Sequence, residues 1–408
     1  MTATLPDADW RHAPDLKRIV AALHDDIGGP LVVGGAVRDS LLGQDVTDID
    51  LATPLHPEQV MMRLDAIGIK VIPTGVDHGT VTAVGDGKNY EITTLRRDVA
   101  TDGRRATVAF ADNWREDAER RDFTINALYA HIESGKILDY FEGLDDLSSG
   151  TVRFIGDAAT RIAEDYLRIM RYFRFFARFG RGIPDPQALE ACSTAAHSLT
   201  ALSRERIAQE LLKIVALPDP SATIALMQKH GIFAQFMPEI VPDAAERVAQ
   251  LVIREKAKGL SPSLPARFLS LLPRDAIVVD KVAARLKLSN KFRENLAVRI
   301  AVQAENAADI RAAAYRKDID AARDAALLYA SDVSVDAMLS ALHDWEVPAF
   351  AIKGGDLIAR GLTAGPVVAK TLQAVEARWI EEGFPAAERL NEIADQAAVS
   401  ALLASRKE

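Results

Sequence analysis

The stretch that most constrains this chain runs from Leu31 to Thr53. A short apolar run, Leu31-Val32-Val33, ends at Gly34-Gly35 and continues through Ala36-Val37-Arg38-Asp39. A second apolar run then begins at Asp48-Ile49-Asp50-Leu51 and is closed by Pro54. β-Branched runs bounded by Gly and Pro read as strands, and Val37 to Leu42, stopped by Gly43, reads as a helix between them. Strand, turn, helix and strand in so few residues demand an α/β layer. Alternate positions on a strand share a face, so Asp48 and Asp50 project together. Two such carboxylates can share divalent metal, and a Gly-Gly turn lets backbone N–H groups approach a phosphate closely. Arg38 adds a guanidinium suited to phosphate oxygens. Alone, Asp-x-Asp is also an ordinary solvated strand end. The combination at this spacing points to metal-assisted phosphate chemistry, and the third glycine of a dinucleotide-binding turn is missing.

The mixed pattern continues to about residue 150. Residues 15–27 and Pro57 to Ile67 have helical periodicity, while Val71-Ile72-Pro73, Thr80 to Val84 and Tyr90 to Leu95 are strand-like. Glu91, in the last of these, is by position a candidate third carboxylate. The polar segment from Arg96-Arg97-Asp98 to Trp114 reads either as a mobile loop over the site or as a plain surface loop. From about residue 158 the pattern turns helical, in Ala158–Gly180, Ser203–Ala216 and Ala222–His230, with Pro218 and Pro220 between the last two. Ala- and Leu-rich helices fill 240–340, and Pro348 with the glycines from 354 to 365 marks another junction.

A chain of 408 residues accommodates several domains, and 49% hydrophobic with only 6% aromatic residues suits mostly helical cores. No apolar run reaches membrane-spanning length and no signal peptide is read at the start. The single Cys192 excludes an intrachain disulfide framework and a Cys-rich zinc site, so a cytoplasmic location is expected. The net charge of −9 argues against general charge-driven nucleic-acid binding. Residues 151–181, however, hold seven arginines against three acids. Any nucleic acid would be held by a local patch on an otherwise acidic body.

Two further motifs narrow the reading. Arg120-Arg121-Asp122-Phe123-Thr124-Ile125-Asn126-Ala127-Leu128 lies about 70 residues beyond the aspartates, and Glu164-Asp165-Tyr166-Leu167-Arg168-Ile169-Met170-Arg171 runs on to Arg174 and Phe175. The three motifs in this order resemble the class II tRNA nucleotidyltransferases, the bacterial CCA-adding enzymes and their poly(A) polymerase relatives. The resemblance is strong over residues 30–215 and weaker beyond. It implies an α+β fold: a polymerase β-like nucleotidyltransferase head (1–150) followed by all-helical neck (151–217), body (218–345) and tail (346–408). It implies Mg²⁺-dependent, template-independent addition of C, C and A from CTP and ATP to a tRNA 3′ end. By the same resemblance Asp48 and Asp50 hold metal, and Gly35, Arg38 and Arg121 contact the nucleotide. Asp122 and Asn126 position the ribose or the loop, and Asp165, Arg168, Arg171 and Arg174 complete the nucleotide site.

The third motif also carries a chemical argument of its own. On a helix, residues three apart are neighbours, rotated about 60° from each other. Asp165 and Arg168 would then face one base together. A carboxylate only accepts hydrogen bonds and a guanidinium only donates them. Cytosine and adenine each present an exocyclic amine beside an unprotonated ring nitrogen. Uracil and guanine present a carbonyl beside a ring N–H, which reverses both partners. A mispaired buried polar site rejects an analogue by about 10⁴-fold or more. The bland alternative is a surface Asp165–Arg168 salt bridge worth a few tenths of a kcal/mol. Tyr166, Met170, Phe173 and Ala177 form an apolar stripe read as core, and Arg204 and Arg206 are read as structural.

In the C-terminal half, Ile352-Lys353-Gly354-Gly355-Asp356 through Gly361 to Pro366 looks like a glycine-punctuated helical hairpin, and Glu382-Gly383-Phe384-Pro385 like a turn. Lys353 and Lys370 are candidate tRNA contacts; simple helix packing is the alternative. His343-Asp344 reads as a surface pair. The rivals to CCA addition are a poly(A) polymerase with the same head, a partial CC- or A-adding enzyme, and a catalytically silent tRNA-binding protein.

Overall fold

The computed structural model describes residues 4–25, 28–85, 87–101, 106–111 and 113–405. The chain divides into two compact units, Met1–Pro238 and Glu239–Glu408.

Among its described residues the first unit carries nine strands: β1 (Leu31–Val33), β2 (Ile49–Thr53), β3 (Lys70–Gly75), β4 (Thr80–Val84), β5 (Asn89–Thr94), β6 (Arg96–Thr101), β7 (Ala106–Phe110), β8 (Leu128–Ala130) and β9 (Ile137–Asp139). Seven of them form one sheet in the order β3-β4-β5-β2-β1-β8-β9, in which β2 and β5 are parallel and the other neighbours antiparallel. Helices α1 (Pro14–Ala22), α2 (Gly35–Leu41), α3 (Pro57–Asp65), α4 (Trp114–Glu119) and α5 (Gly143–Ser149) accompany the sheet. Along β2, Ile49, Leu51, Ala52 and Thr53 are buried and only Asp50 is exposed. Side chains alternate along a strand, so Leu51 and Ala52 are covered on opposite faces while the strand's beginning opens to solvent.

The register explains why motifs far apart in sequence meet. Val33 pairs with Asp50 across β1 and β2, so the Gly34-Gly35 turn leaves the sheet beside Asp48. Tyr129 pairs with Val33 across β8 and β1, and the Gly34 N–H donates to the Leu128 carbonyl at 3.0 Å. The segment that precedes β8, residues 120–127, therefore lies against the same turn.

The segment from Arg96 to Trp114 is not an irregular loop in its described part. β6 and β7 pair as an antiparallel hairpin, with Arg96 opposite Phe110, and α4 follows. Val99, Thr101, Thr107 and Val108 supply the β-branched propensity that the many charges obscure. Residues 102–105 and 112 of that segment lie outside the described residues.

The stretch read as one helix from Ala158 to Gly180 is two, α6 (Ala158–Glu164) and α7 (Leu167–Phe179). Asp165 is extended between them (φ −149°, ψ 107°), and its carboxylate accepts from the Leu167 N–H at 3.0 Å. An aspartate that satisfies an orphan N–H at a helix start competes with helix continuation, which is why the chain breaks there. Ile169, Met170, Tyr172 and Phe173 of α7 are fully buried. Phe123 joins Phe154 and Phe175 at ring separations of 4.8 and 5.1 Å, and Phe154 stacks on Tyr172 at 5.7 Å. Each fully buried ring contributes roughly 1.5–3 kcal/mol, so this cluster binds α7 firmly to the second motif. Three more helices complete the unit: α8 (Pro186–Thr194), α9 (Arg204–Val215) and α10 (Ser221–Lys229).

Among the described residues, the regular secondary structure of the second unit is all helical. It comprises α11 (Ala244–Ala257), α12 (Leu264–Leu269), α13 (Ala276–Arg285), α14 (Asn290–Ile300), α15 (Ala307–Arg316), α16 (Ile319–Tyr329), α17 (Val335–Leu342), α18 (Gly354–Ala359), α19 (Pro366–Glu381) and α20 (Ala387–Ser405). Leu357, Val375, Trp379 and Ala394 share one core there. The hairpin expected around residues 352–366 is α18 and α19. The turn at 382–385 separates α19 from α20, with Gly383 and Phe384 both at positive φ. His343 and Asp344 form an exposed pair at 3.3 Å. Among the described residues, no helix is long and apolar enough to cross a membrane.

Candidate active site

A cleft of about 910 Å³ opens in the first unit where the three motifs meet. Gly34, Gly35, Arg38, Asp48 and Asp50 line it from the first motif, Arg120, Arg121, Asp122 and Asn126 from the second, and Asp165, Arg168, Arg171 and Arg174 from the third. Nine arginine or lysine side chains and six aspartates line it in all. The cleft is thus a basic patch on an acidic chain, with four of its six aspartates, Asp39, Asp45, Asp48 and Asp50, on the wall that the first motif and the segment after it form.

Gly34 holds φ at +69°, a conformation that favours glycine, and this turn forms part of that wall. Asp48 is the residue before β2 and Asp50 its second position, so the two lie one strand repeat apart. Glu91 of β5 stands in register beside Asp50. Asp50 is accessible from the cleft yet surrounded by protein, and this desolvation first, then the neighbouring Glu91 charge, pushes its carboxyl up to about 6; Arg121 opposes this and Asp48 adds to it. The Thr47 hydroxyl donates to Asp48 at 3.2 Å.

Behind the carboxylates a continuous chain of polar contacts ties the motifs together. Arg38, only 5% exposed, is paired with Asp39 at 2.8 Å and donates to Asn126. Asn126 donates to Asp122 at 3.0 Å, and Asp122 in turn accepts from Arg171 of α7 at 2.6–2.7 Å. The Arg38 guanidinium also lies 4.3 Å from the centre of the Phe179 ring and 5.3 Å from that of Phe175. A buried guanidinium that is paired, hydrogen-bonded and packed on aromatic faces has little freedom left. Arg38 therefore sets the spacing between α2 and α7 as well as lining the cleft.

Asp117 on α4 escaped the sequence reading. It is 1% exposed and accepts from Arg120 Nη2 at 2.8 Å, Arg121 Nη2 at 3.2 Å, the Tyr129 hydroxyl at 2.6 Å and the Arg96 N–H at 3.2 Å. Burial alone would raise its carboxyl, but Arg121, Arg120 and Tyr129 outweigh that and hold it down to about 2. The Tyr129 hydroxyl also accepts from Arg121 Nε at 3.0 Å. Arg121 is thereby aimed into the cleft by two partners. Its signal was present in the sequence, since Asp117 lies three and four residues before Arg120 and Arg121 on a helical stretch.

Asp165 and Arg168 both line the cleft, but not as helical neighbours. The Arg168 N–H donates to the Asp165 carbonyl at 2.9 Å, but because Asp165 is extended ahead of α7 their side chains pair with other groups. Arg168 pairs with Glu164 and donates to the Arg161 carbonyl at 2.9 Å and the Arg120 carbonyl at 3.0 Å. Asp165 pairs with Arg206 of α9 at 2.8 Å. Arg206, read as structural from sequence, is thus the partner of a candidate site residue. Arg174 pairs with Glu210, which Lys213 also approaches at 3.4 Å. In the apolar stripe, Met170 and Phe173 are fully buried, whereas Tyr166 and Ala177 are only partly covered. Lys353, just before α18, and Lys370 in α19 are exposed on the second unit.

The family model described as "Poly A polymerase head domain" matches residues 31–153, and that described as "Probable RNA and SrmB- binding site of polymerase A" matches residues 184–243. These head and RNA-binding models do not separate CCA-adding enzymes from poly(A) polymerases. Similarity over nearly the whole length does. The chain is 32% identical to the CCA-adding enzyme of Streptococcus gordonii, over 94% of this chain and 96% of that protein. It is 35% identical to the mitochondrial CCA tRNA nucleotidyltransferase 1 of Danio rerio, over 85% of this chain and 82% of that protein. The chain belongs to the class II tRNA nucleotidyltransferases. A crystal structure of the Bacillus stearothermophilus CCA-adding enzyme in complex with CTP matches this class II fold with a TM-score of 0.71 at 26% identity, covering 90% of this chain and 93% of that one. The expected polymerase β-like head with helical domains is therefore borne out.

Proposed function

We propose that this tRNA nucleotidyltransferase adds C, C and A, from CTP and ATP, to the 3′ end of tRNA and releases pyrophosphate at each addition. The observation that carries the reading is the convergence in one cleft of Asp48 and Asp50 with Asp165 and Arg168. Similarity to CCA-adding enzymes over 94% of the chain supports it over poly(A) synthesis.

The donor set fits a hard divalent cation. Asp48 and Asp50 offer oxygen ligands in the same cleft, and the negative charge of Glu91 and Asp48 that raises Asp50 is relieved by a cation. Mg²⁺ is the proposed ion, held by Asp48 and Asp50. Glu91 stands in register with Asp50 but does not line the cleft, and among the described residues no three His, Cys, Asp or Glu side chains group to hold a metal, so the site is proposed on the two aspartates. When bound, the ion supplies Lewis acidity at the attacking oxygen and charge neutralisation at the leaving group. The chain's own residues do the remaining work. Gly35, Arg38 and Arg121 orient the triphosphate, and Arg171 and Arg174 extend the cationic wall toward it. Asp165 accepts from the exocyclic amine of cytosine or adenine, and Arg168 donates to the adjacent ring nitrogen. Uracil and guanine meet both groups with the wrong polarity. The tRNA 3′-oxygen then bonds to the α-phosphorus as the bond to pyrophosphate breaks.

In the second unit, Lys353 and Lys370 are proposed contacts for the tRNA backbone. The division into neck (151–217), body (218–345) and tail (346–408), and a cytoplasmic place of action, belong to the same proposal.

The test offers the purified protein CTP, ATP and Mg²⁺ with tRNA lacking its CCA end or with a generic RNA. The wild type should extend the tRNA by three nucleotides. Asp48→Ala should abolish extension while filter binding of tRNA is retained. Long A tails on the generic RNA would instead establish the poly(A) polymerase, and no incorporation anywhere would leave a tRNA-binding protein.

A further inference from the structure

Asp48 stands in an irregular segment, residues 42–48, between the end of α2 and the start of β2. Nothing in regular secondary structure fixes that segment, yet a carboxylate that holds metal must be placed to a fraction of an ångström. A side chain of α7 reaches it. Arg178, on α7, donates through Nη2 to the Gln44 side-chain oxygen at 3.0 Å and to Asp39 Oδ2 at 3.2 Å. The other oxygen of Asp39 pairs with Arg38, and the Asp39 carbonyl accepts from the Gln44 N–H at 2.9 Å. Arg178 also lies 4.8 Å from the centre of the Phe179 ring, which the Arg38 guanidinium approaches at 4.3 Å.

The placement on α7 gives this contact meaning. Arg168, Arg171, Arg174 and Arg178 follow one another at three- and four-residue steps, so they share one face of the helix. The first three belong to the nucleotide site proposed above. The fourth holds the segment that carries Asp48.

We infer that Arg178 is a positioning residue, clamping the Gln44–Asp48 segment to the helix that holds the incoming nucleotide and so registering the metal carboxylates against the α-phosphate. This inference rests on the nucleotidyltransferase reading above. The competing role is direct: Arg178 lines the cleft and is about one-third exposed, so an incoming triphosphate would draw it away from Asp39 and Gln44. The two roles separate in kinetics. A misplacement of about 1 Å can cost on the order of 100-fold in rate without weakening binding. Loss of a phosphate contact made equally in the ground state raises KM instead.

The experiment measures single-turnover CMP addition to tRNA lacking CCA by the full-length wild type, Arg178→Ala, Arg178→Lys, Gln44→Ala and the double variant Arg178→Ala/Gln44→Ala. Clamping predicts that Arg178→Ala lowers the rate at saturating CTP by about 10-fold or more, with KM for CTP and discrimination against UTP within about 2-fold of wild type. Gln44→Ala should reproduce part of that loss, and the double variant should be no worse than Arg178→Ala, because both changes remove one contact. Arg178→Lys should be intermediate, since an ammonium keeps the charge but not the planar guanidinium's reach and packing against Phe179. A raised KM with an unchanged rate for Arg178→Ala, or a silent Gln44→Ala, overturns the inference. If Arg178→Ala does not fold, Gln44→Ala and Arg178→Lys decide by the same criteria. A wild type that adds no CMP would instead strike the nucleotidyltransferase reading itself.

Discussion

Replacing Asp117 by asparagine removes one charge behind the cleft while keeping the side chain's shape. An ordinary aspartate titrates near 3.8, and Asp117 is held down to about 2. That difference is worth about 2 kcal/mol of folding stability. A depressed carboxyl contributes fully above 3.8 and loses its contribution as pH falls through about 2. Linkage places roughly 1 kcal/mol of the loss between neutral pH and pH 3. Asparagine does not titrate, and it turns an N–H₂ toward groups that need an acceptor. Removing one partner of a buried pair costs roughly 3–5 kcal/mol. Arg120 and Arg121 keep 15% and 19% exposure, so the lower end, about 3 kcal/mol at pH 7, is expected. Two units in one chain make a single unfolding curve ambiguous. The measurement is therefore urea titration at several pH values with a deuterium pulse at one fixed labelling pH, read by mass spectrometry on peptides covering Trp114 to Ala130. The gap between wild type and Asp117→Asn should narrow by about 1 kcal/mol from pH 7 to pH 3. A gap that stays constant, or widens in acid, would refute the assignment of Asp117 as a charged anchor for Arg121.

Two other outcomes follow from the cleft and from the second unit. Asp165→Ala should relax base choice more than it weakens tRNA affinity, read as UMP against CMP incorporation; unchanged rejection of UTP would remove the base-reading role. Lys353→Ala combined with Lys370→Ala should flatten the slope of log affinity for tRNA against log salt by up to about 2, with KM for CTP unchanged. An unaltered slope would place the tRNA contacts elsewhere.

Much of the site was legible because its chemistry is local. Gly34-Gly35, Arg38 and Asp48-x-Asp50 lie within one strand–helix–strand unit, where residue type and period two suffice to place them. The juxtaposition of Asn126 with Arg38 was not readable from pattern, because it depends on β8 pairing with β1 across nearly a hundred residues. Asp117 was overlooked because α4 is a short helix between the segment read as a loop and the second motif, and only one of its partners, Arg121, is a motif residue singled out from sequence. The break at Asp165 was hidden for a different reason: helical apolar spacing continues on both sides of it, and only the side chain's bond to the Leu167 N–H interrupts the helix. The role of Arg206 was invisible because its partner lies 41 residues earlier and in another helix pair.

The most direct test of the account is the sequence of the product. A tRNA ending before its CCA should be incubated with the protein, Mg²⁺ and all four nucleoside triphosphates at equal concentration, and the extended 3′ ends sequenced. The account predicts C, C and A in that order and then arrest, with U and G excluded by the proposed Asp165–Arg168 pair, which would admit only bases that set an amine beside an open ring nitrogen. Ends bearing U or G at frequencies comparable with C and A, or runs of A beyond the third position, would contradict it.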